Sequence, residues 1–489
     1  MKICATARID ARDELIAKLK IHEPLTDAEL ILHAYKAWGD ECVKHLIGDF
    51  AFAIWDGKQI FCARDHFGVK PFFYTHVGGN FNFSSTLNEL RRDESVSNTL
   101  NEIAVGDYLL FGVNQDNSTT IFKDIQRLPP GHTLTVVNNE FRIRRYWMPS
   151  VPAEVRFRDG ESYVERFSEL LSQAIKDRLR AERVAISMSG GLDSTSLAAI
   201  ASKHAEVAGF TVVYDSLIPD EERHYSSLAA EHLGIRITHL NGDGYSLFDG
   251  QVDQPEPFLI SPLTGQFNDL LRLCAAFSPV ALTGYDGDAY MHEPQVKLRT
   301  RISRMLRKND YHGSLPEWVD ESFAVRTNLG ERYKEFWART PGGKRPAAMR
   351  ALNSKIWTSL FEGYDPGATK LNLDVRHPFL DIRLIEYLLA IPTTPWCINK
   401  HLLRRAMSDK LPEAVLNRAK TGLMGDPALQ LVRRASVRWL DRFEVSPQLR
   451  AFVNLNRRRP VAEEKTSDAL WASLRVFALN YWLTKLPTP

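Results

Sequence analysis

The chain has 489 residues, enough at roughly 100 to 200 residues per domain for two to four domains, each with its own core. Hydrophobic residues make up 44% and charged residues 25%, and 62 Lys+Arg against 60 Asp+Glu leave a formal charge of +2, which excludes broad disorder and a general polyanion-binding surface. No apolar run approaches the ~20 residues of a membrane-spanning helix, and Arg8 and Asp10 fall where a signal peptide needs apolar residues, so a cytoplasmic protein without nucleic-acid or membrane partners is expected.

Residues 27–38 (DAELILHAYKAW) carry apolar positions at helical spacing, and 50–55 (FAFAIW), 59–63 (QIFCA) and 71–74 (PFFY) are short aromatic and β-branched runs cut by turns. Together they predict a layered sheet domain, which Pro129-Pro130-Gly131 and the stretch 149–152 (PSVP) close near residue 150. From Ser162 onward helical segments alternate with the apolar runs 184–188, 210–214, 235–240 and 280–283, the pattern of a parallel, doubly wound sheet covered on both faces. Beyond about 290 the chain is mostly helical; the basic stretch 297–308 and Arg457 to Arg459 read as solvated faces of amphipathic helices, with contact to an acidic or extended peptide as the alternative. The five cysteines, Cys4, Cys42, Cys62, Cys274 and Cys397, form no C-x-x-C pair and are expected as buried or free thiols.

The richest stretch for chemistry is 184–197, VAISMSGGLDSTSL. A strand ends in Ser187-Met188-Ser189-Gly190-Gly191-Leu192-Asp193-Ser194 and a helix follows, so loop N–H groups and the positive end of the helix converge on one point, with glycines that let phosphate oxygens approach. By itself the string is also compatible with a glycine turn in which Asp193 or Ser194 caps the helix. The G-K-[ST] ending of a kinase-like loop is absent, and Asp193 sets a carboxylate beside the cradle, where Mg²⁺ could bridge it to pyrophosphate. A second loop, Thr283-Gly284-Tyr285-Asp286-Gly287-Asp288, follows the 280 strand; loops at the carboxyl ends of neighbouring parallel strands share a crevice, so Asp193 and Asp288 form a candidate Mg²⁺ pair.

The S-G-G-x-D-S string resembles the pyrophosphate loop of the ATP pyrophosphatases, which cleave ATP between its α- and β-phosphates. Val375-Arg376-His377-Pro378-Phe379-Leu380-Asp381, the stretch 400–407 (KHLLRRAM) and Leu411-Pro412-Glu413 are similar to the synthetase-domain signature of the asparagine synthetase family. Thr26-Asp27-Ala28-Glu29, the stretch 48–56 (GDFAFAIWD) and the stretch 63–71 (ARDHFGVKP) resemble that family's glutaminase-type domain. The resemblance implies an α/β fold. Over 1–148 it places a layered α/β/β/α domain like the N-terminal-nucleophile hydrolases, truncated and degenerate. Over 160–489 it places a doubly wound parallel-sheet ATP-pyrophosphatase domain with a helical C-terminal region. It further implies that Ser187, Ser189, Gly190, Gly191, Asp193, Ser194 and Gly284 bind ATP or pyrophosphate and that ATP and Mg²⁺ are required.

The family hydrolyses glutamine with an N-terminal cysteine whose own α-amine is the base. Met1 is followed here by Lys2 and Cys4 is internal, so the chain as given is expected not to hydrolyse glutamine, either as a relic or because translation starts upstream. The metal loop carries Tyr285 where asparagine synthetases usually have an acidic residue. In this it is similar to the β-lactam synthetases, whose Tyr–Glu pair serves ring closure; the residue matching that Glu is Asp374, and Lys420 matches the lysine aimed at the developing negative charge. Taken alone, Lys420 reads as a solvated surface lysine.

The C-terminal wording is most similar to the lasso-peptide macrolactam cyclases of this family, which implies a precursor peptide as substrate, with a leader-peptide-binding protein and a protease as possible partners. The catalytic set is then Tyr285, Asp374 and Lys420. Two other readings stay open: an asparagine synthetase acting on aspartate with ammonia, or with glutamine if the start lies upstream, and an inactive nucleotide-binding scaffold. Modification of tRNA is disfavoured by the near-neutral charge.

Overall fold

The computed structural model describes residues 1–250, 254–257, 262–293, 314–338, 343–419, 425–434, 439–440 and 442–486. In the first 148 residues, β1 (Lys2–Asp10), β2 (Ile47–Trp55), β3 (Ile60–Arg64), β7 (His132–Val137) and β8 (Glu140–Arg145) form one antiparallel sheet in the order β1-β2-β3-β7-β8. A smaller antiparallel sheet, β5-β4-β6, is built from β4 (Phe73–Val77), β5 (Asn80–Ser84) and β6 (Ile125–Arg127).

The period-two alternation of β2 decides how these layers stack. Phe50, Phe52 and Ile54 enter a core with Leu30, Ile31 and Ala34 of the helix Asp27–Trp38, while Ala51 and Ala53 face Phe72, Tyr74 and Leu128 on the side of the second sheet. That helix begins on the Thr26–Glu29 motif, which forms a reciprocal capping box. The far face of the second sheet is covered by the helix Glu102–Phe111, giving the expected α/β/β/α order. Its core crosses the sequence boundary: Val105, Tyr108 and Leu109 pack in one cluster with Phe323, Leu474 and Phe477, the last two from the helix Ser467–Thr484.

The second half holds a parallel sheet in the order β11-β10-β9-β12-β13, from β9 (Arg183–Ser187), β10 (Glu206–Val213), β11 (Arg236–Asn241), β12 (Val280–Thr283) and β13 (Asp374–Arg376). Strands added after β9 run outward to one side as far as β11, then β12 starts again on β9's other edge. The topological switch point therefore lies between β9 and β12, at the carboxyl ends of those strands. The helices Glu161–Leu179, Leu192–Ala201 and Thr264–Phe277 contribute to one core with β9 and β12, whose buried residues Val184, Ala185, Ile186, Val280, Ala281 and Leu282 are apolar.

Buried ion pairs join the two halves. Arg178, with a side chain 2% exposed, reaches Asp381 at 2.8 Å and Asp10 at 3.2 Å, and Arg8 joins Asp10 to Asp49. Lys70 reaches Asp374 at 2.7 Å. The loop that carries Lys70 is folded around Asp65, whose carboxylate accepts backbone N–H bonds from Phe50, Phe67, Gly68, Val69 and Lys70. Cys42, Cys62, Cys274 and Cys397 are buried free thiols and Cys4 is exposed. Among the described residues no helix is long and apolar enough to cross a membrane.

Candidate active site

A cavity of about 1000 Å³ opens at the switch point, and Ser189, Asp193, Thr283, Tyr285, Asp288 and Lys400 line it. The helix Leu192–Ala201 starts at Gly191 with no side-chain cap. Ser194, which could have capped it, instead donates its hydroxyl to the Ser189 carbonyl at 2.9 Å and lies 3.2 Å from Ser189 Oγ. The turn-and-cap alternative does not apply: neither Asp193 nor Ser194 caps the helix, and its start faces the cavity that Ser189 and Ser194 also line.

Gly190 and Gly284 are demanded by close approach. A Cβ at Gly190 would sit 2.4 Å from Tyr225 Cβ, and one at Gly284 would sit 2.9 Å from the backbone nitrogen of Ser194. The second glycine thus allows the loop after β12 to lie directly on the first turn of the phosphate-loop helix. Glu222 accepts the Gly190 N–H at 2.6 Å and the Arg418 guanidinium at 3.0 Å, so a carboxylate sits on a donor to which an incoming phosphate is drawn.

Asp193 and Asp288 are brought together, and the group between them is Lys400. Its ammonium lies 2.6 Å from Asp193 Oδ2 and 2.5 Å from Asp288 Oδ1. Lys400 belongs to the 400–407 stretch that carries the family resemblance, but nothing local to that stretch indicates that it ends at the phosphate loop. Asp286 lies beside them at φ +70°; burial, then Asp288 and Asp193, push its carboxyl well above the usual range. Its Oδ2 is buried with no hydrogen-bond partner among the described residues.

These residues fit Mg²⁺ of the expected kind. Two carboxylates, Asp193 and Asp288, share a single ammonium at the mouth of the phosphate loop. Among the described residues no three acidic, His or Cys side chains form a ready metal cage. Asp193 and Asp288 would therefore hold the ion together with phosphate oxygens and water, the usual habit of Mg²⁺.

Asp374 is elsewhere, and the expected Tyr285–Asp374 pair is corrected. Asp374 opens β13 and pairs with Val280, the first residue of β12, whereas Tyr285 follows the last. The two stand at opposite ends of β12, about 10 Å of strand apart at ~3.3 Å per residue. Burial favours the protonated form of Asp374, but Lys70 at 2.7 Å and Arg376 at 2.6 Å overrule it and hold the carboxyl well below the usual range. It is a committed partner in the joint between the halves. The hydroxyl of Tyr285 instead meets that of Tyr364 at 3.1 Å. Ser187 lines the cavity as expected; Lys420 and the basic stretch 297–308 lie outside the described residues.

Behind Tyr285, His377 bonds Thr283 Oγ1 through Nδ1 at 2.7 Å, and its Nε2 is buried without a partner among the described residues. Burial pushes His377 down to about 4, and buried His66 at the joint between the halves likewise. Both take up a proton on unfolding at pH values where the folded chain refuses one. Their contribution to stability is full above the ordinary ~6.5 and falls as the pH drops from there to about 4, by roughly 2 kcal/mol per histidine at about pH 5. The urea unfolding midpoint is expected to fall between about pH 7 and about pH 5, and a midpoint constant over that range would contradict burial of two neutral imidazoles.

Residues 8–147 match the model of a glutamine amidotransferase domain, and residues 166–484 match that of asparagine synthase. Asparagine synthetase [glutamine-hydrolyzing] 3 of Bacillus subtilis strain 168 is 29% identical over 457 residues, which cover 84% of this chain and 73% of its own length. Asparagine synthetase [glutamine-hydrolyzing] 2 of the same strain is 26% identical over 455 residues, 83% of this chain and 60% of its own length, so the chain spans less than two thirds of that relative. A solved glutamine phosphoribosylpyrophosphate amidotransferase from B. subtilis aligns with 48% of this chain and 45% of its own, at 14% identity and a TM-score of 0.22.

Proposed function

As a member of the asparagine synthase family, whose model spans more than half of its residues, the chain is, we propose, an ATP-dependent ligase that forms an amide bond through an acyl-adenylate. The observation that carries this reading is the meeting of the uncapped Ser189–Gly191 turn, Asp193, Asp288 and Lys400 at the switch point of the parallel sheet. A substrate carboxylate oxygen attacks the α-phosphorus of ATP; the bond to the bridging oxygen breaks and pyrophosphate leaves. Loop N–H groups, Ser189 and Ser194 receive the departing phosphates, and the Lys400 ammonium balances the charge that accumulates on them. Mg²⁺ bound at Asp193 and Asp288 would add charge neutralisation at the same place. Tyr285 on the cavity wall takes the proton that an incoming ammonium must shed before it attacks the acyl carbon, and AMP departs.

Within this class we favour closure of a macrolactam on a ribosomal peptide, with a leader-binding protein and a protease as partners, because a tyrosine stands in the metal loop where an acid serves ammonia-using relatives. Synthesis of asparagine from aspartate is the second reading, favoured by the names of the relatives in B. subtilis. ATP–pyrophosphate exchange tests the proposal with two probes, aspartate and any short precursor peptide found encoded next to this gene. Exchange with the peptide, followed by loss of one water from its mass, is expected, and Asp193→Ala should abolish it. Exchange with aspartate alone would select the second reading; exchange with neither would leave an inactive scaffold and remove the ligase reading.

A further inference from the structure

Tyr285 is 38% exposed and lines the cavity, whereas Tyr364, the last residue of the helix Ile356–Tyr364, is 7% exposed and stands behind it. The Tyr364 hydroxyl donates to Tyr285 Oη at 3.1 Å. Its ring is held between Phe267 and His377, at centroid distances of 5.4 and 5.9 Å, and His377 is anchored in turn to Thr283 at the end of β12. Other groups face this corner. Asp286 and Asp288 come from the loop of Tyr285 itself and Asp193 from the phosphate-loop helix. Lys400 holds Asp193 and Asp288, and His377 is neutral by burial.

Burial pushes the Tyr364 phenol well above its ordinary range, so it keeps its proton and remains a donor. A phenol that accepts a bond from a fixed donor turns its own O–H away from that donor, here toward the cavity. Once it has lost the proton, the same donor stabilises the anion by a charge-assisted bond. A carboxylate in that position would do the reverse and repel the phenolate.

We propose that Tyr364 is the positioning residue of the amide-forming step: a neutral phenol that aims Tyr285 at the incoming amine and stabilises its anion, in the place where a carboxylate partner was expected. The inference rests on the reading of Tyr285 as the proton relay. In the step itself Tyr285, which has released its own proton to water in the open cavity, takes a proton from the substrate ammonium, so that an N–H bond breaks and the Tyr285 O–H bond forms; the free amine then attacks the acyl carbon, the acyl–oxygen bond to AMP breaks, and the remaining proton on nitrogen passes to water.

The test uses the full chain labelled with [13Cζ]tyrosine, with the Tyr285 resonance assigned by its loss in Tyr285→Phe. In Tyr364→Phe, that resonance is expected to titrate at least one pH unit higher than in the unaltered chain, a tenfold change in proton affinity. The rising limb of amide formation should move by the same amount, while ATP–pyrophosphate exchange stays within twofold. A Tyr285 titration that is unmoved or lowered overturns the proposal, as does loss of exchange in parallel with amide formation. Tyr364→Leu, which also lacks the hydroxyl, is the second variant should the first not fold. The reading of Tyr285 fails separately: amide formation that survives Tyr285→Phe with its pH profile intact would remove the relay, whatever Tyr364 does to the resonance.

Discussion

Replacing Lys400 with methionine is expected to lower ATP–pyrophosphate exchange at least a hundredfold, the largest loss foreseen for a single side chain outside the phosphate loop. Lys400 is 7% exposed, and its ammonium is shared by Asp193 and Asp288 at 2.6 and 2.5 Å. Without it, the carboxylates face each other across a space into which a tetra-anionic nucleotide must enter. At an effective dielectric of about 20, two unit charges 4 Å apart interact by ~4 kcal/mol, so removing the cation changes the balance by more than the ~2.7 kcal/mol that a hundredfold requires. Lys400→Arg is expected to rescue little, because a delocalised, forked guanidinium does not reproduce a compact ammonium held 2.6 and 2.5 Å from two carboxylates. Exchange retained within tenfold in Lys400→Met would show that Lys400 braces the loop and leaves the phosphates alone.

Arg178→Met should cost about 3–5 kcal/mol of stability, read from urea unfolding of the whole chain. Arg178 lies in the helix Glu161–Leu179 and is buried between Asp381 of the second half and Asp10 at the end of β1. Removing one member of a buried ionic cluster leaves the others uncompensated, and that penalty exceeds the net worth of the intact pair. Burial works against the ionised form of Asp381, but Arg178 and Arg383 hold its carboxyl well below the usual range. Its contribution is therefore present above the ordinary carboxylate range and lost as the pH falls toward the depressed value. In the variant, the acid limb of unfolding should shift to higher pH. A loss under about 1 kcal/mol would mean that Arg383 alone satisfies Asp381 and that Asp10 is held by Arg8.

The features legible in the sequence are those that neighbours along the chain decide. Phe50-Ala51-Phe52-Ala53-Ile54 reads as a strand of a layered sheet domain because aromatic and β-branched residues favour the pleated backbone; that a helix covers one face and a sheet the other was decided by packing. The 184–197 stretch carried strand, glycine turn and helix in order, and with them the anion-binding end of the helix. Tyr285 and Asp288 followed from the rule that loops at the carboxyl ends of adjacent parallel strands share one crevice.

Contacts between distant segments were another matter. Lys400 lies 207 residues from Asp193, and Lys70 lies 304 residues from Asp374; no local pattern states which of 62 basic side chains crosses such a distance. Asp374 was matched to a catalytic acid by motif alone, yet its place depends on the register of β13 against β12, where it meets the first residue of its neighbour and so lies at the wrong end of the sheet for Tyr285. Pattern along the chain settles what each segment is and which way its faces point. Register, burial and the partner of each charge are settled only when segments hundreds of residues apart are packed, because a buried charge takes whichever opposite charge the fold brings within about 3 Å.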